Sequence, residues 1–362
     1  MRTIQMSSYT VGEDCFEAIA HVLAPYHAQS IVLVGGARAL AAAAPEIRKA
    51  LADTSVEILD EIVYGTDSTQ SAIDALVRND AFRAADVAFA IGGGKAIDTV
   101  KTAAKELDKT VFSVPTICSN CSSATAIAVV YNDDHSLKGY AYPDAPAHIF
   151  INPAIIAEAP AEYFWAGIGD ALSKQPEVEY ATSRADLTHT GTLGLTLAHT
   201  CTAPLMTYGE QGLADVRANR SSEAVRQIAL DIVVNTGYVS NLTNQPDFYY
   251  NSSLAHAFYN ATCGVPRAGR THLHGEVVSF GVLVLFAYMG NTAELERYAA
   301  FNKKIGLPTT LAELDLDESH LDRIATLAQN TNEWKQGNPE PFSPEAFVEA
   351  IRVADAYGRS LA

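Results

Sequence analysis

Three side chains in the helical part of the chain are of the types that hold a divalent metal: Asp170, His256 and His274. Two imidazoles and a carboxylate can ligate such an ion and still leave positions for water and substrate. Asp170 follows Gly167-Ile-Gly169 and reads as the opening of a helical stretch. His256 lies in Leu254-Ala-His-Ala-Phe-Tyr-Asn260, and His274 in His272-Leu-His-Gly-Glu276. Each residue also has a plainer reading. Asp after Gly is a common helix cap, and a lone helical His is commonly just a hydrogen-bonded side chain. Their wide separation in the chain leaves both readings open.

A second chemistry is written in Ala90-Ile-Gly-Gly-Gly-Lys-Ala-Ile-Asp-Thr-Val-Lys101. The apolar stretch 86–91 reads as a buried parallel strand, Gly92 to Gly94 as a turn, and the residues from Ala96 as a helix. That arrangement aims bare backbone N–H groups and a positive helix end at a phosphate. It is not a Walker loop, because Ala96 stands where Ser or Thr would hold magnesium. Cys118-Ser-Asn-Cys121 is a CxxC, but its surroundings are not those of a thioredoxin-like redox pair. It reads as two reduced thiols lining a pocket.

The elements that must position these groups follow from periodicity. Helix is expected over 11–25, 39–51, 68–79 and 96–106, and strand over 30–34, 55–59, 86–91 and 110–114. Alternation at this spacing implies a parallel sheet with helices on both faces, whose ligands bind beyond the C-terminal strand ends. There Gly35-Gly36, Gly92 to Lys95 and 115–121 would converge. Residues 125–131 and 148–151 read as antiparallel strands about a polar turn at 132–136. From about Ala154 the patterns are helical. A boundary near 158 gives an α/β nucleotide-binding domain, 1–158, and an all-α domain, 159–362. Residues 332–342 read as a loop, with Ser343 and Pro344 opening the last helix.

Composition narrows the classes. The length of 362 residues suits two domains, and 42 acidic against 25 basic residues argues against a nucleic-acid or anionic-membrane partner. No apolar run approaches a bilayer span and the first residues lack a signal-peptide core. Five cysteines do not suggest a disulfide framework. A cytoplasmic location is expected.

Taken jointly and in order, several motifs resemble the iron-containing alcohol dehydrogenase superfamily, in its glycerol dehydrogenase-like branch. They are Gly92 to Lys101, Pro115-Thr-Ile, Ala166-Gly-Ile-Gly-Asp-Ala-Leu172, Ala255-His-Ala with Asn260 and Pro266, and His274-Gly-Glu276. The resemblance covers essentially the full length. It implies a Rossmann-like N-terminal domain, a helical C-terminal domain of the dehydroquinate synthase-like fold, and a catalytic metal in the cleft. It carries the metal-ligand role onto Asp170, His256 and His274, with zinc as first choice and iron, nickel or manganese as alternatives. It places the cofactor against Gly93, Gly94 and Lys95, with Asp98, Thr116 and Ser119 nearby.

Departures from the pattern narrow the subgroup. Lys174 stands where many members have a second histidine, so a three-ligand site is expected. Cys121 stands where glycerol dehydrogenases carry an Asp associated with polyol hydroxyls. With Tyr131-Asn-Asp133 and residues 307–314, this looks more like the hydroxycarboxylate dehydrogenase subgroup, which reduces small 2-oxo acids. Tyr259 replaces a second motif histidine and is a candidate proton carrier. Lys174, Arg267 and Arg270 are candidate partners of a substrate carboxylate, with Cys121 also in the substrate set.

The expected function is a metal-dependent, NAD(P)-linked oxidoreductase interconverting a small alcohol or 2-hydroxy acid with its carbonyl. Glycerol or polyol oxidation and a dehydroquinate synthase-like reaction are the alternatives. The turn after the first strand, Gly35-Gly36-Ala37-Arg38, carries no carboxylate to take the ribose hydroxyls. Gly36 leaves room for a 2′-phosphate and Arg38 could pair with it, which points to NADP(H), alone or beside NAD(H). A homo-oligomer with a small-molecule substrate is expected.

Overall fold

A computed structural model of the chain describes residues 3–265 and 271–361. The chain divides into two compact units, Met1–Ala161 with Asp215–Asn241, and Glu162–Ala214 with Leu242–Ala362. A single break near 158 does not anticipate the segment 215–241, which is helical by pattern yet packs with the first unit. None of its helices advertises that allegiance, since helical periodicity shows which face is apolar and not what covers it.

The first unit is built on a six-stranded sheet of order β1-β8-β5-β4-β2-β3. The strands are β1 (Ser8–Val11), β2 (Ser30–Gly35), β3 (Glu57–Val63), β4 (Val87–Gly92), β5 (Thr110–Pro115) and β8 (His148–Ile151). All their pairings are parallel. Alternate residues feed two cores: Ile31, Leu33, Phe89 and Phe112 on one face, Val32, Val34, Ala88 and Val111 on the other. A strand buried on both faces reads as a continuous apolar run, which is why β2, β4 and β5 were legible. The chain steps outward from β2 to β3, then returns to β4 on the other side of β2. The two glycine turns, at Gly35-Gly36 and Gly92 to Gly94, therefore flank the point where strand order reverses. In open α/β sheets that is where ligands bind.

Three expectations need correction here. Residues 11–25 are not one helix. β1 precedes a short 3-10 turn Cys15–Ala18, a five-residue helix Ile19–Leu23 and a second 3-10 turn Ala24–Tyr26. Pro25 sits in that last turn, where its missing N–H is not needed. The strand expected at 55–59 runs over Glu57–Val63 instead. The stretch 148–151 is not half of an antiparallel pair but enters the parallel sheet between β1 and β5. The hairpin is made by β6 (Ala128–Tyr131) and β7 (Leu137–Ala141). β7, Leu-Lys-Gly-Tyr-Ala, is half-exposed and interrupted by Gly139, so its strand signal is weak.

β8 carries a buried polar residue. His148 places Nδ1 2.9 Å from the Ser8 hydroxyl and Nε2 2.9 Å from the Thr10 hydroxyl, both on β1. Burial disfavours the imidazolium and pushes its pKa down from 6.5 to about 4. The unfolded chain thus binds a proton near pH 6.5 that the folded chain refuses until about pH 4. Stability from this group is complete above 6.5 and is lost as pH falls through that window, on the order of 3 kcal/mol in all. Urea midpoints between pH 7 and 4.5 should fall more steeply for the native chain than for His148→Gln. Equal slopes would remove His148 as the cause.

Among its described residues the second unit is helical apart from the two-residue strands Asn244–Gln245 and Phe248–Tyr249. Its centre is the helix His274–Tyr288, apolar on all sides, packed by Leu254–Thr262, Thr292–Ile305 and Pro344–Ser360. The expected loop 332–342 contains a short helix, Asn332–Gln336. Thr331 caps it by accepting from the Trp334 N–H, and Trp334 is buried, but the prolines and glycine that follow mask the signal. Ser343 and Pro344 open the last helix as expected. Among the described residues, no helix is long and apolar enough to cross a membrane.

Candidate metal centre and dinucleotide turn

Asp170 does not open a helix. It lies near the end of the helix Ala161–Ala171, which runs unbroken through Gly167 and Gly169. A Cβ on Gly169 would stand 2.3 Å from the Gly275 carbonyl oxygen, and one on Gly275 1.8 Å from that of Ala166. Backbone meets backbone at this crossing because neither residue has a side chain. The contact brings His274, first residue of its helix, beside Asp170. The His274 Nε2 is 3.0 Å from Asp170 Oδ1, and the His256 Nε2 is 3.5 Å from the same oxygen. One ligand atom from each of the three residues lies within 4.8 Å of the others.

Glu177 was not anticipated, and it completes the arrangement. Its side chain is fully buried on the helix Lys174–Thr182. Oε1 accepts the N–H groups of Ser253 at 2.7 Å and His256 at 3.0 Å, at the start of the helix Leu254–Thr262. Oε2 lies 2.6 Å from His256 Nδ1. A carboxylate only accepts, so Nδ1 carries a proton and Nε2 turns to Asp170 with its lone pair available. A sequence signal existed. Asp170, Lys174 and Glu177 are spaced at i, i+4 and i+7, the pattern of one helix face.

Charge explains what this cluster accepts. Burial works against ionising Asp170, but His274 and His256 outweigh it and hold its carboxyl far below the ordinary range. Burial likewise opposes the His256 imidazolium, yet Glu177 and Asp170 push its pKa up to about 10. Two carboxylates set against two imidazoles leave a site short of positive charge. A proton on His256 supplies part of it, and a divalent cation on the same lone pairs supplies all of it. The donor set, one carboxylate and two imidazoles with open positions, fits such an ion.

The other anticipated residues of this unit are placed as follows. The Tyr259 ring stands edge-on to His274, centroids 4.2 Å apart. Lys174 is buried, its ammonium bonded to Asn251. Pro266, Arg267 and Arg270 lie outside the described residues.

In the first unit, Gly93 caps the helix Gly94–Glu106, and Ile97 N–H returns to the Gly93 carbonyl. The preceding N–H groups of that first turn have no acceptor within the helix. Lys95 points out and pairs with Asp67 at 3.1 Å, over the Tyr131 ring. Asp67 also holds His135 of the hairpin turn, at 2.9 Å. Asp98 is committed within the fold: Ser122 Oγ and Lys101 Nζ bond one oxygen and the Val129 N–H the other. Its part is to fix the 122–129 segment, together with fully buried Lys101, which also holds the carbonyls of Ser122, Thr125 and Ile127. Thr116 is buried with its N–H on the Gly92 carbonyl; Ser119 is half-buried. Gly36 caps the helix Ala37–Leu51 with Arg38 exposed in its first turn. Cys121 precedes the short turn Ser122–Ala124 and is half-buried. Among the described residues no cysteine is in a disulfide, and burial pushes the Cys118 thiol up, away from thiolate chemistry.

Comparison with known proteins gives this geometry a family. The model of the iron-containing alcohol dehydrogenase family matches residues 10–160. A glycerol dehydrogenase from Thermotoga maritima is 32% identical over 321 residues, covering 84% of each chain. The chain belongs to the iron-containing alcohol dehydrogenase family. Hydroxycarboxylate dehydrogenase A of Escherichia coli is 30% identical over 276 residues, 75% of each chain. The crystal structure of a probable glycerol dehydrogenase from Sinorhizobium meliloti superposes with a TM-score of 0.83 at 25% identity, over 100% of both chains. This family member is an oxidoreductase, with the fold its motifs imply, and a synthase reading has no support among these relatives.

Proposed function

We propose that this chain is a metal-dependent, nicotinamide-linked dehydrogenase interconverting a small alcohol or 2-hydroxy acid with its carbonyl. The observation that carries the reading is the convergence of Asp170, His256 and His274 on one point, with Glu177 fixing the ligating nitrogen of His256. Zinc suits this mixed set, and iron, nickel or manganese could replace it. Bound there, the ion would supply Lewis acidity, lowering the pKa of an alcohol or polarising its carbonyl. The nicotinamide supplies the hydride chemistry. The protein's own part is to hold and orient. Asp170 and the imidazoles fix the ion's place, Tyr259 stands beside His274 to hold or pass the hydroxyl proton, and the Gly94 helix start receives the pyrophosphate.

Glycerol dehydrogenase and hydroxycarboxylate dehydrogenase A are both among the relatives, so a substrate panel is the direct test. Small 2-oxo acids with NADH or NADPH should be reduced faster than glycerol is oxidised. No turnover of any alcohol, polyol or oxo acid by metal-loaded protein would overturn the reading. The cofactor prediction is narrower. The open Gly36 position, with its nearest neighbour Tyr64 4.0 Å from an added Cβ, supports use of NADPH. Gly36→Asp should lower kcat/KM for NADPH roughly tenfold or more relative to NADH, by adding a hydroxyl acceptor and repelling a 2′-phosphate. An unchanged ratio would dismiss this turn as the selector.

A further inference from the structure

We infer that Lys174 and Asn251 form a subsite for the carboxylate of an anionic substrate, beside the metal ligands. The inference rests on the dehydrogenase reading above and names the substrate class within it.

Lys174 is 7% exposed, yet its ammonium has no carboxylate within ion-pair distance among the described residues. Its partners are two neutral oxygens of one residue, the Asn251 carbonyl at 3.0 Å and Asn251 Oδ1 at 2.8 Å. Buried charges are ordinarily paired, because losing water costs several kcal/mol that neutral oxygens only partly restore. The absence is not for want of acids in a chain with 42 of them. The next carboxylate along the same helix, Glu177, is spent on His256 and two backbone N–H groups.

The donors left over face one kind of ligand. An ammonium has three N–H groups, and Asn251 accounts for two. Because Asn251 turns Oδ1 to Lys174, its amide NH₂ lies on the other branch, with no acceptor among the described residues. One cationic and one neutral donor, both lacking an acceptor, suit the two oxygens of a carboxylate. These donors are tied to the metal ligands through Glu177: it shares a helix with Lys174, and its Oε1 accepts the N–H groups of His256 and of Ser253, two residues after Asn251. In a 2-oxo acid the carbonyl carbon is bonded directly to the carboxylate, so an acid held here by its carboxylate keeps its reacting carbonyl one bond away. A polyol brings no charge for Lys174.

The test compares 2-oxobutanoate with 1-hydroxybutan-2-one, its neutral counterpart, in metal-loaded native protein and Lys174→Gln. The native protein should favour the acid in kcat/KM, and Lys174→Gln should collapse the acid-to-ketone ratio at least about 30-fold, the worth of a charged hydrogen bond. Lys174→Arg should recover part of the ratio. A second readout needs no turnover: oxamate should bind the metal-loaded native protein by calorimetry and bind Lys174→Gln far more weakly. If both substrates weaken in step, or oxamate binds both proteins alike, Lys174 is only a strut and the subsite is wrong. If neither substrate turns over but oxamate binding still depends on Lys174, the dehydrogenase reading fails and the anion subsite stands.

Discussion

His274→Ala protein is expected to leave purification without its divalent ion and with turnover lower by at least about 10³-fold, the scale of losing metal-supplied charge stabilisation. Asp170→Ala and His256→Ala should do the same, but the three will not be equally stable. His274 is partly exposed and begins its helix, so its loss leaves little unsatisfied behind. His256 is the side-chain partner of fully buried Glu177, and removing it strands that carboxylate with backbone donors alone. A stranded buried charge costs on the order of 3 kcal/mol. Metal analysis, turnover and thermal melts on the three proteins check both parts. Full activity in metal-stripped His274→Ala protein would end the metal assignment.

Glu177→Gln is expected to weaken metal binding about 10- to 100-fold while leaving the melting temperature nearly unchanged. The reason lies in proton direction. Glutamine can still accept the Ser253 and His256 N–H groups through its one carbonyl oxygen, so the helix start stays capped. Its NH₂ then faces His256 Nδ1, which must accept, and the ring proton moves to Nε2, the nitrogen that should ligate. Competition with a graded chelator measures the affinity. If Gln binds metal as tightly as Glu, the carboxylate serves only as a helix cap.

Much of this was legible in the residues, and the gaps have physical reasons. β2, β4 and β5 announced themselves because two-sided burial demands continuous apolar runs. The edge strand β1 and the half-exposed β7 have no such demand, and both were missed. The three candidate ligands were recognisable by type and by motif, but spacing alone could not bring them together. What joins Asp170 to His274 is the backbone contact of Gly169 with Gly275, which in sequence looks like a turn signal, while Glu177 sets His256. That is why Asp170 was placed at a helix start instead of near an end. Glu177 was hidden for another reason: an acidic residue in a helical stretch is usually solvated, and only its burial gives it meaning.

The excursion of the first unit to Asp215–Asn241 has a consequence for how the protein is made. A ribosome delivers the chain from its N-terminus, at roughly 5–20 residues per second. The sheet strands emerge early, but the unit to which they belong waits for residue 241. By then Asp170 and Glu177 are already synthesised, while His256 and His274 are not. For several seconds the nascent protein therefore carries a half-built core and an acidic pair without its imidazoles. The two units cannot be separated by one cut, nor expressed as two simple halves. The meeting of Asp170, His256 and His274 is a late event, reserved for a chain whose first unit is already synthesised.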